Sequence, residues 1–300
     1  MLRCLNQIYT MKKLKKIQKS SDVIDIDDSS KIILMSDCHR GDGSWADDFT
    51  KNKHIYYSAL SHYYNKGFTY IEIGDGEELW ENKNMNDIID IHTDVYILLS
   101  KFYEKNRFFM IYGNHDLVKK NKHYLKKNFT NHYDESKKRK IKLFSGIKVH
   151  EGLILKYKGK KIFLVHGHQG DLINDRWWPL GRFLVRKLWR NVEIVGLNNP
   201  TGPAKNYELK TETEKRLEFF VKNEKQMMIT GHTHRPHFPK ENGPSYFNTG
   251  STIHPYAITG IEIESGKLSL VKWKVMSTEN HTLYVGKEII KGPEEVIDYL

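Results

Sequence analysis

Cysteine is nearly absent from this chain. Only Cys4 and Cys38 occur in 300 residues, too few for a disulfide framework, so the expected setting is a reducing one, the cytosol. Long hydrophobic runs are missing too: no apolar stretch reaches the roughly 20 residues that a membrane span needs. The segment Met1–Ser20 is basic but lacks the apolar centre of a secretory leader, although Leu2, Leu5, Ile8, Leu14 and Ile17 allow a short amphipathic helix. Internal repeats and low-complexity tracts are lacking. Acidic residues are in deficit, 37 against 48 Lys and Arg, for a formal net charge of +11. That balance favours anionic partners (nucleotides, nucleic acid or acidic membrane surfaces) without choosing among them, and it also fits a plain lysine-rich surface.

What is present is the composition of a folded protein: 39% hydrophobic and 12% aromatic residues. The apolar runs are short and alternate between strand and helix character. Strands are expected at 31–36, 70–73, 107–112, 162–165 and 226–229, with helices at 56–64 and 88–103, which is the rhythm of an α/β core. From Ser245 onward the pattern turns β-rich, over 246–248, 257–263 and 268–275, and suggests a second sheet packed on the first. Two segments interrupt the core: a charged connection over 119–142 and a longer insertion over 170–225. The insertion opens with Trp, Phe and Leu mixed with Arg, reads as an amphipathic helix over the site, and includes a second helix near 208–223.

Each core strand ends in polar residues suited to metals. Asp37 and His39 follow the first, Asp75 the second, Asn114 and His115 the third, His166 the fourth, and His232 and His234 the fifth. α/β folds place their sites at such carboxyl ends. Any single one of these histidines is more simply a core or surface residue; the set of five strand-end motifs is not. Imidazoles, carboxylates and an amide oxygen together suit Mn, Fe or Zn, and Asp75 is the natural carboxylate to bridge two ions. Glycines beside the ligands permit sharp turns and close backbone approach.

The series D-x-H, GD-x-x-E, GNHD, HG-x-H and GHTH, from Asp37 to His234, resembles the calcineurin-like metallophosphoesterase superfamily, and Asn248-Thr249-Gly250-Ser251 resembles the turn that follows GHTH there. The resemblance implies a four-layer α/β/β/α sandwich with a helical lid insertion. It implies two divalent ions, one on Asp37, His39, Asp75 and His234, the other on Asp75, Asn114, His166 and His232, with His168 outside the ligand set at the rim. Two-metal chemistry then activates water for in-line attack at phosphorus. His115, beside a ligand, is the candidate general acid. Asp116 either orients that imidazole or caps the helix after it.

The serine/threonine phosphatase branch carries an arginine soon after its second motif; GDGEELWEN has none, which disfavours a protein phosphatase. Glu78-Leu79-Trp80, GHTHRP and the insertion resemble the UDP-2,3-diacylglucosamine hydrolase branch instead. The departures are GNHD where that branch has GNRD, and SDCHRGD where it has SDLHL. The expected activity is thus phosphoester or pyrophosphate hydrolysis on a phosphorylated small-molecule or lipid-linked substrate. Arg40, Arg176, Arg182, Arg186 and Arg235 are candidate phosphate contacts, because a planar guanidinium grips phosphate through two bonds. The alternatives are a nuclease of the same superfamily, with nucleic acid the less favoured partner, and a metal-free binding scaffold. The Trp- and Arg-rich insertion is also compatible with peripheral membrane contact. The organisation expected is a basic N-terminal extension over 1–29, one catalytic domain over 30–276 with a lid over about 171–225, and a C-terminal segment over 277–300.

Overall fold

The computed structural model describes residues 2–134, 137–169 and 207–300. From the N-terminus, α1 (Leu2–Ser20) leads into β1 (Asp22–Ile26) and β2 (Lys31–Met35). Helix α2 (Lys53–Asn65) precedes β3 (Thr69–Ile73); α3 (Met85–Ile91) and α4 (Thr93–Glu104) precede β4 (Phe108–Ile111). Then come α5 (Lys122–Asn128), the hairpin β5 (Asn131–Asp134) and β6 (Arg139–Lys142), and β7 (Val149–His150), β8 (Gly152–Tyr157) and β9 (Lys160–Val165). The chain ends with α6 (Tyr207–Glu224), β10 (Met227–Thr230), β11 (Tyr246–Asn248), β12 (Ala257–Glu264), β13 (Lys267–Ser277) and β14 (Leu283–Glu295).

Two sheets form the centre. The larger has the order β14-β13-β12-β2-β3-β4-β7 and the smaller β1-β8-β9-β10-β11. Strands β2, β3 and β4 run parallel and are buried almost end to end. Unbroken apolar runs are what a strand covered on both faces requires. Between the sheets, Ile32, Leu34, Ile71, Ile73 and Ile111 meet Leu153, Leu155, Ile162, Leu164 and Ile229. Outside the larger sheet lie α2 and α4, which bury Ile55, Tyr56, Ala59, Leu60 and Tyr63, and Val95, Leu98, Leu99 and Phe102, at helical spacing. Outside the smaller sheet, Leu14 and Ile17 of α1 join Leu217, Phe220 and Val221 of α6 over Phe163, Val165 and Met228. The layers therefore run helix, sheet, sheet, helix, as the motif series implies.

Four details differ from the sequence expectation. The strands after Ser245 do not make a second sheet of their own: β12 pairs with β2 and extends the first sheet, while β9 and β10 belong to the other. The helix expected over 88–103 is two helices, broken at His92, whose ring is drawn to Asp47 at 2.9 Å. Residues 1–29 are no appendage, since α1 covers the smaller sheet and β1 pairs with β8. The C-terminal segment likewise belongs to the domain, through β14 on β13 and Val296 in the inter-sheet core. No helix among the described residues is long and apolar enough to cross a membrane.

Candidate metal centre

The strand ends that carry the ligands are laced together by main-chain hydrogen bonds. The loop after β2 runs beside the loop after β3: Asp37 N donates to Gly74 O, His39 N to Asp75 O and Arg40 N to Gly76 O. From the smaller sheet, Gly231 N donates to His166 O. Five candidate ligands sit in the left-handed backbone region: Asp37 at φ 53°, His39 at 47°, Asp75 at 51°, His232 at 69° and His234 at 54°. Non-glycine residues rarely adopt that region, and each instance costs of order 1 kcal/mol. Such strain persists where surrounding bonds enforce it. Space is as tight as geometry: a Cβ on Gly113 would overlap Asp75 Oδ1, and one on Gly74 would overlap the His166 ring.

All seven expected ligands are buried, and six of them, all but Asn114, fall into two groups. Asp37, His39 and His234 form one group able to hold a metal ion; Asp75, His166 and His232 form another. Asp37 Oδ2 is held by Ser36 Oγ and by His232 N at 2.9 Å, which leaves Oδ1 toward His234 Nε2 at 3.1 Å. Asp75 Oδ1 accepts from His115 N at 2.8 Å. Its other oxygen, Oδ2, lies 3.1 Å from His166 Nε2 and 3.8 Å from His39 Nε2. One carboxylate oxygen thus sits between the two groups, where a bridging ligand must be. The outer nitrogens are fixed as metal-ligating imidazoles require: His166 Nδ1 donates to Ile73 O at 2.8 Å, and His39 Nδ1 is 2.8 Å from Glu78 Oε2. Asn114 Oδ1 is buried with no hydrogen-bond partner among the described residues, and the buried Asp37 Oδ1 and His166 Nε2 are met by His234 and Asp75 of the same set. Buried polar atoms are almost always paired, so this donor set fits a cation. Each group draws on both sheets.

The buried carboxylates and imidazoles shift one another. Burial pushes the carboxyl of Asp37 up, yet His234 and His166 outweigh it and hold that group at about 2. Burial disfavours a charged His39, yet the hydrogen bond to Glu78 and the Asp75 carboxylate bring it to about 10. His166 is likewise brought to about 9, against its burial, by Asp75 and Asp37.

His115 stands beside the ligands, its side chain 21% exposed. Its Nδ1 lies 2.8 Å from Glu78 Oε1, so one carboxylate holds both His115 and His39. His39, Asp75 and His115 also form a third group with ligand atoms close together, and Glu78 holds His115 by Nδ1, which leaves Nε2 as the nitrogen this ring presents. Asp116 does neither of the things expected of it. It makes no side-chain cap to the turn it precedes, and its oxygens accept from Gly113 N at 2.6 Å, Gly76 N at 3.0 Å and Lys119 Nζ at 2.6 Å. It ties the second and third motif loops to each other. Glu78 is the residue that sequence reasoning missed; its place three positions after Asp75 was the available signal.

Arg40 is also corrected. Fully buried, it points away from the site into Glu72, at 2.8 Å through both terminal nitrogens, and Glu77 at 2.7 Å, so it cannot meet a phosphate. Arg235 is paired with Glu214 of α6 at 3.2 Å. His168 is buried rather than at a rim, its ring centroid 5.4 Å from that of His166. Arg176, Arg182 and Arg186, with most of the expected lid, lie outside the described residues.

Solved structures with a similar chain path include a predicted phosphoesterase from Streptococcus pneumoniae, at 15% identity over 87% of this chain and 97% of that one, TM-score 0.34. Vps29 from Chaetomium thermophilum has 9% identity over 87% and 96%, TM-score 0.39. A cold-active protein-tyrosine phosphatase from a Shewanella species has 12% identity over 90% and 83%, TM-score 0.41. No curated protein matches the chain. The family model for calcineurin-like phosphoesterases matches residues 30–236, which takes in every ligand motif from Asp37 to His234, and the chain belongs to that family.

Proposed function

We propose that this protein hydrolyses phosphoesters or pyrophosphates with two divalent ions, Mn, Fe or Zn. The observation that carries the reading is Asp75 Oδ2 lying between His39 and His166, with a group of ligands on either side. Asp37, His39, Asp75 and His234 would hold one ion, and Asp75, Asn114, His166 and His232 the other. Bound there, the ions supply Lewis-acid neutralisation of phosphoryl charge and water acidic enough to attack phosphorus. The chain's own part is proton delivery. Glu78 accepts from the Nδ1–H of His115 and so presents Nε2; as the imidazolium the ring would carry a second proton there, which would pass to the leaving oxygen and leave a neutral imidazole still bonded to Glu78.

The substrate favoured is a phosphorylated small molecule or a nucleotide- or lipid-linked pyrophosphate. The net positive charge and the Glu78-Leu79-Trp80 stretch support it. The insertion over 171–225 is proposed as the lid that admits bulky substrates and meets a membrane surface. The test combines elemental analysis of protein purified without chelator with turnover on alkyl and nitrophenyl phosphoesters in Mn²⁺. Asp75→Asn should lose metal and activity together. His115→Ala should keep both metals and lose about 10²–10⁴-fold on the alkyl ester, with a far smaller loss on the nitrophenyl ester, whose leaving group needs no proton. Absence of metal and of Mn²⁺-dependent activity would overturn the reading; equal losses on both esters would remove His115 as the acid.

A further inference from the structure

The stretch after Glu78 holds a residue whose contacts exceed those of a core filler. Trp80 is 6% exposed. Its indole stacks on the His115 ring, centroids 4.3 Å apart and planes 20° from parallel. Its Nε1 donates to the carbonyl of Asn114 at 2.7 Å. Its main-chain N donates at 3.2 Å to Glu78 Oε1, the oxygen that also meets His115 Nδ1. The His39 ring meets His115 edge-on, at 4.6 Å and 82°.

We infer that Trp80 is a positioning residue for proton delivery: it fixes the plane of the His115 ring and ties that ring to the main chain of the neighbouring ligand Asn114. The bond to Glu78 alone fixes one nitrogen and leaves the imidazole free to swing about it. A flat aromatic face laid against the ring removes that freedom, since aromatic pairs have preferred geometries and not merely preferred areas. The indole N–H, which must find an acceptor when buried, is spent on the residue before His115, so ring and ligand move as one. Orientation of this kind matters because small misplacement of a reacting group costs up to about 100-fold.

The inference rests on His115 being the proton donor, and the test separates the two. Trp80→Leu keeps bulk and loses the face; Trp80→Phe keeps the face and loses the donor. In the Mn²⁺-loaded enzyme, Trp80→Leu should lower kcat on an alkyl phosphoester about 10- to 100-fold, with KM and metal content unchanged and a much smaller loss on the nitrophenyl ester. Trp80→Phe should recover most of that loss. In the metal-free protein, two-bond proton–nitrogen NMR of the histidine rings should show one His115 tautomer in wild type and Trp80→Phe, and an averaged ring in Trp80→Leu. Equal losses on both esters, no loss in the Leu variant, or failure of Phe to recover it would overturn the positioning role. If His115→Ala itself shows no dependence on leaving group, the acid assignment falls first. If His115→Ala shows it and Trp80→Leu does not, only the inference about Trp80 falls.

Discussion

Glu78→Gln is the most discriminating single change. Glu78 is buried; its Oε1 and Oε2 lie 2.8 and 2.7 Å from Nδ1 of His115, and Oε2 is also 2.8 Å from Nδ1 of His39. A carboxylate accepts from both rings. The amide is isosteric but has only one oxygen; its NH₂ then faces an imidazole N–H, and one of the two rings must turn or lose its partner. The interaction forfeited is a hydrogen bond to a charged group, about 1.5–3 kcal/mol. At about 1.4 kcal/mol per decade that is roughly a 10- to 150-fold loss, the range known for changes behind metal ligands. The assay is a competition titration with a metal indicator, run beside turnover on alkyl and nitrophenyl esters. If the amide turns its NH₂ to His39, the titration reports weakened metal binding; if to His115, turnover on the alkyl ester falls while metal stays. Either outcome fits the bridge. Wild-type metal affinity with wild-type turnover on both esters would show that the bridge contributes nothing.

Three further outcomes are expected. Arg40→Ala leaves Glu72 buried without its guanidinium and Glu77 with Lys119 as its remaining cation; breaking a buried pair from one side costs about 3–5 kcal/mol, a fall in melting temperature of about 5–8 °C for a chain of this size, and an unchanged melting curve would refute the reasoning. Glu77, which burial pushes up but Lys119 and Arg40 hold down, sits at about 2 against an ordinary 4.5; the stability it contributes is full above that ordinary value and is lost as pH falls toward about 2, so urea midpoints should drop between pH 5 and 3, less steeply in Glu77→Gln. Chelator-treated protein should melt lower than protein given Zn²⁺ or Mn²⁺ at 100 times the dissociation constant, by about 2.7 kcal/mol in stability for each ion bound, and Asp75→Asn should abolish the difference.

The candidate ligands were legible as a set because each follows a short apolar strand, and strand ends are where chemistry gathers. What lies behind them was not. Arg40 follows His39 and so looked like a site residue, but the loop turns through left-handed residues at Asp37 and His39, which join the ligand groups while Cys38 and Arg40 are turned to Glu72. Asp116 failed in the same way, since adjacency to His115 suggested a partnership that space gives to Glu78. The division of strands between sheets was hidden for another reason. A short buried run such as Ile162–Val165 reads alike in either sheet, and only long-range pairing, as between Ile261 and Leu34, decides it. The ends of the chain were set apart because the motif series starts after one and stops before the other; α1 carries most of its lysines outward and buries Leu14 and Ile17.

That both sheets furnish each ligand group has a consequence for which metals the protein selects. A chelator's bite is set by the rigid frame that carries its donors. Here the frame is the apolar seam in which Ile71 and Ile73 meet Leu153, Leu164 and Ile229, and its thickness sets how far His166 and His232 stand from Asp37 and Asp75. Interior packing transmits such dimensions because it is nearly incompressible. Any ion-size preference of such a centre would therefore be written partly in hydrocarbon, and trimming Ile71 or Leu164 should loosen the choice among divalent metals before it unfolds the chain.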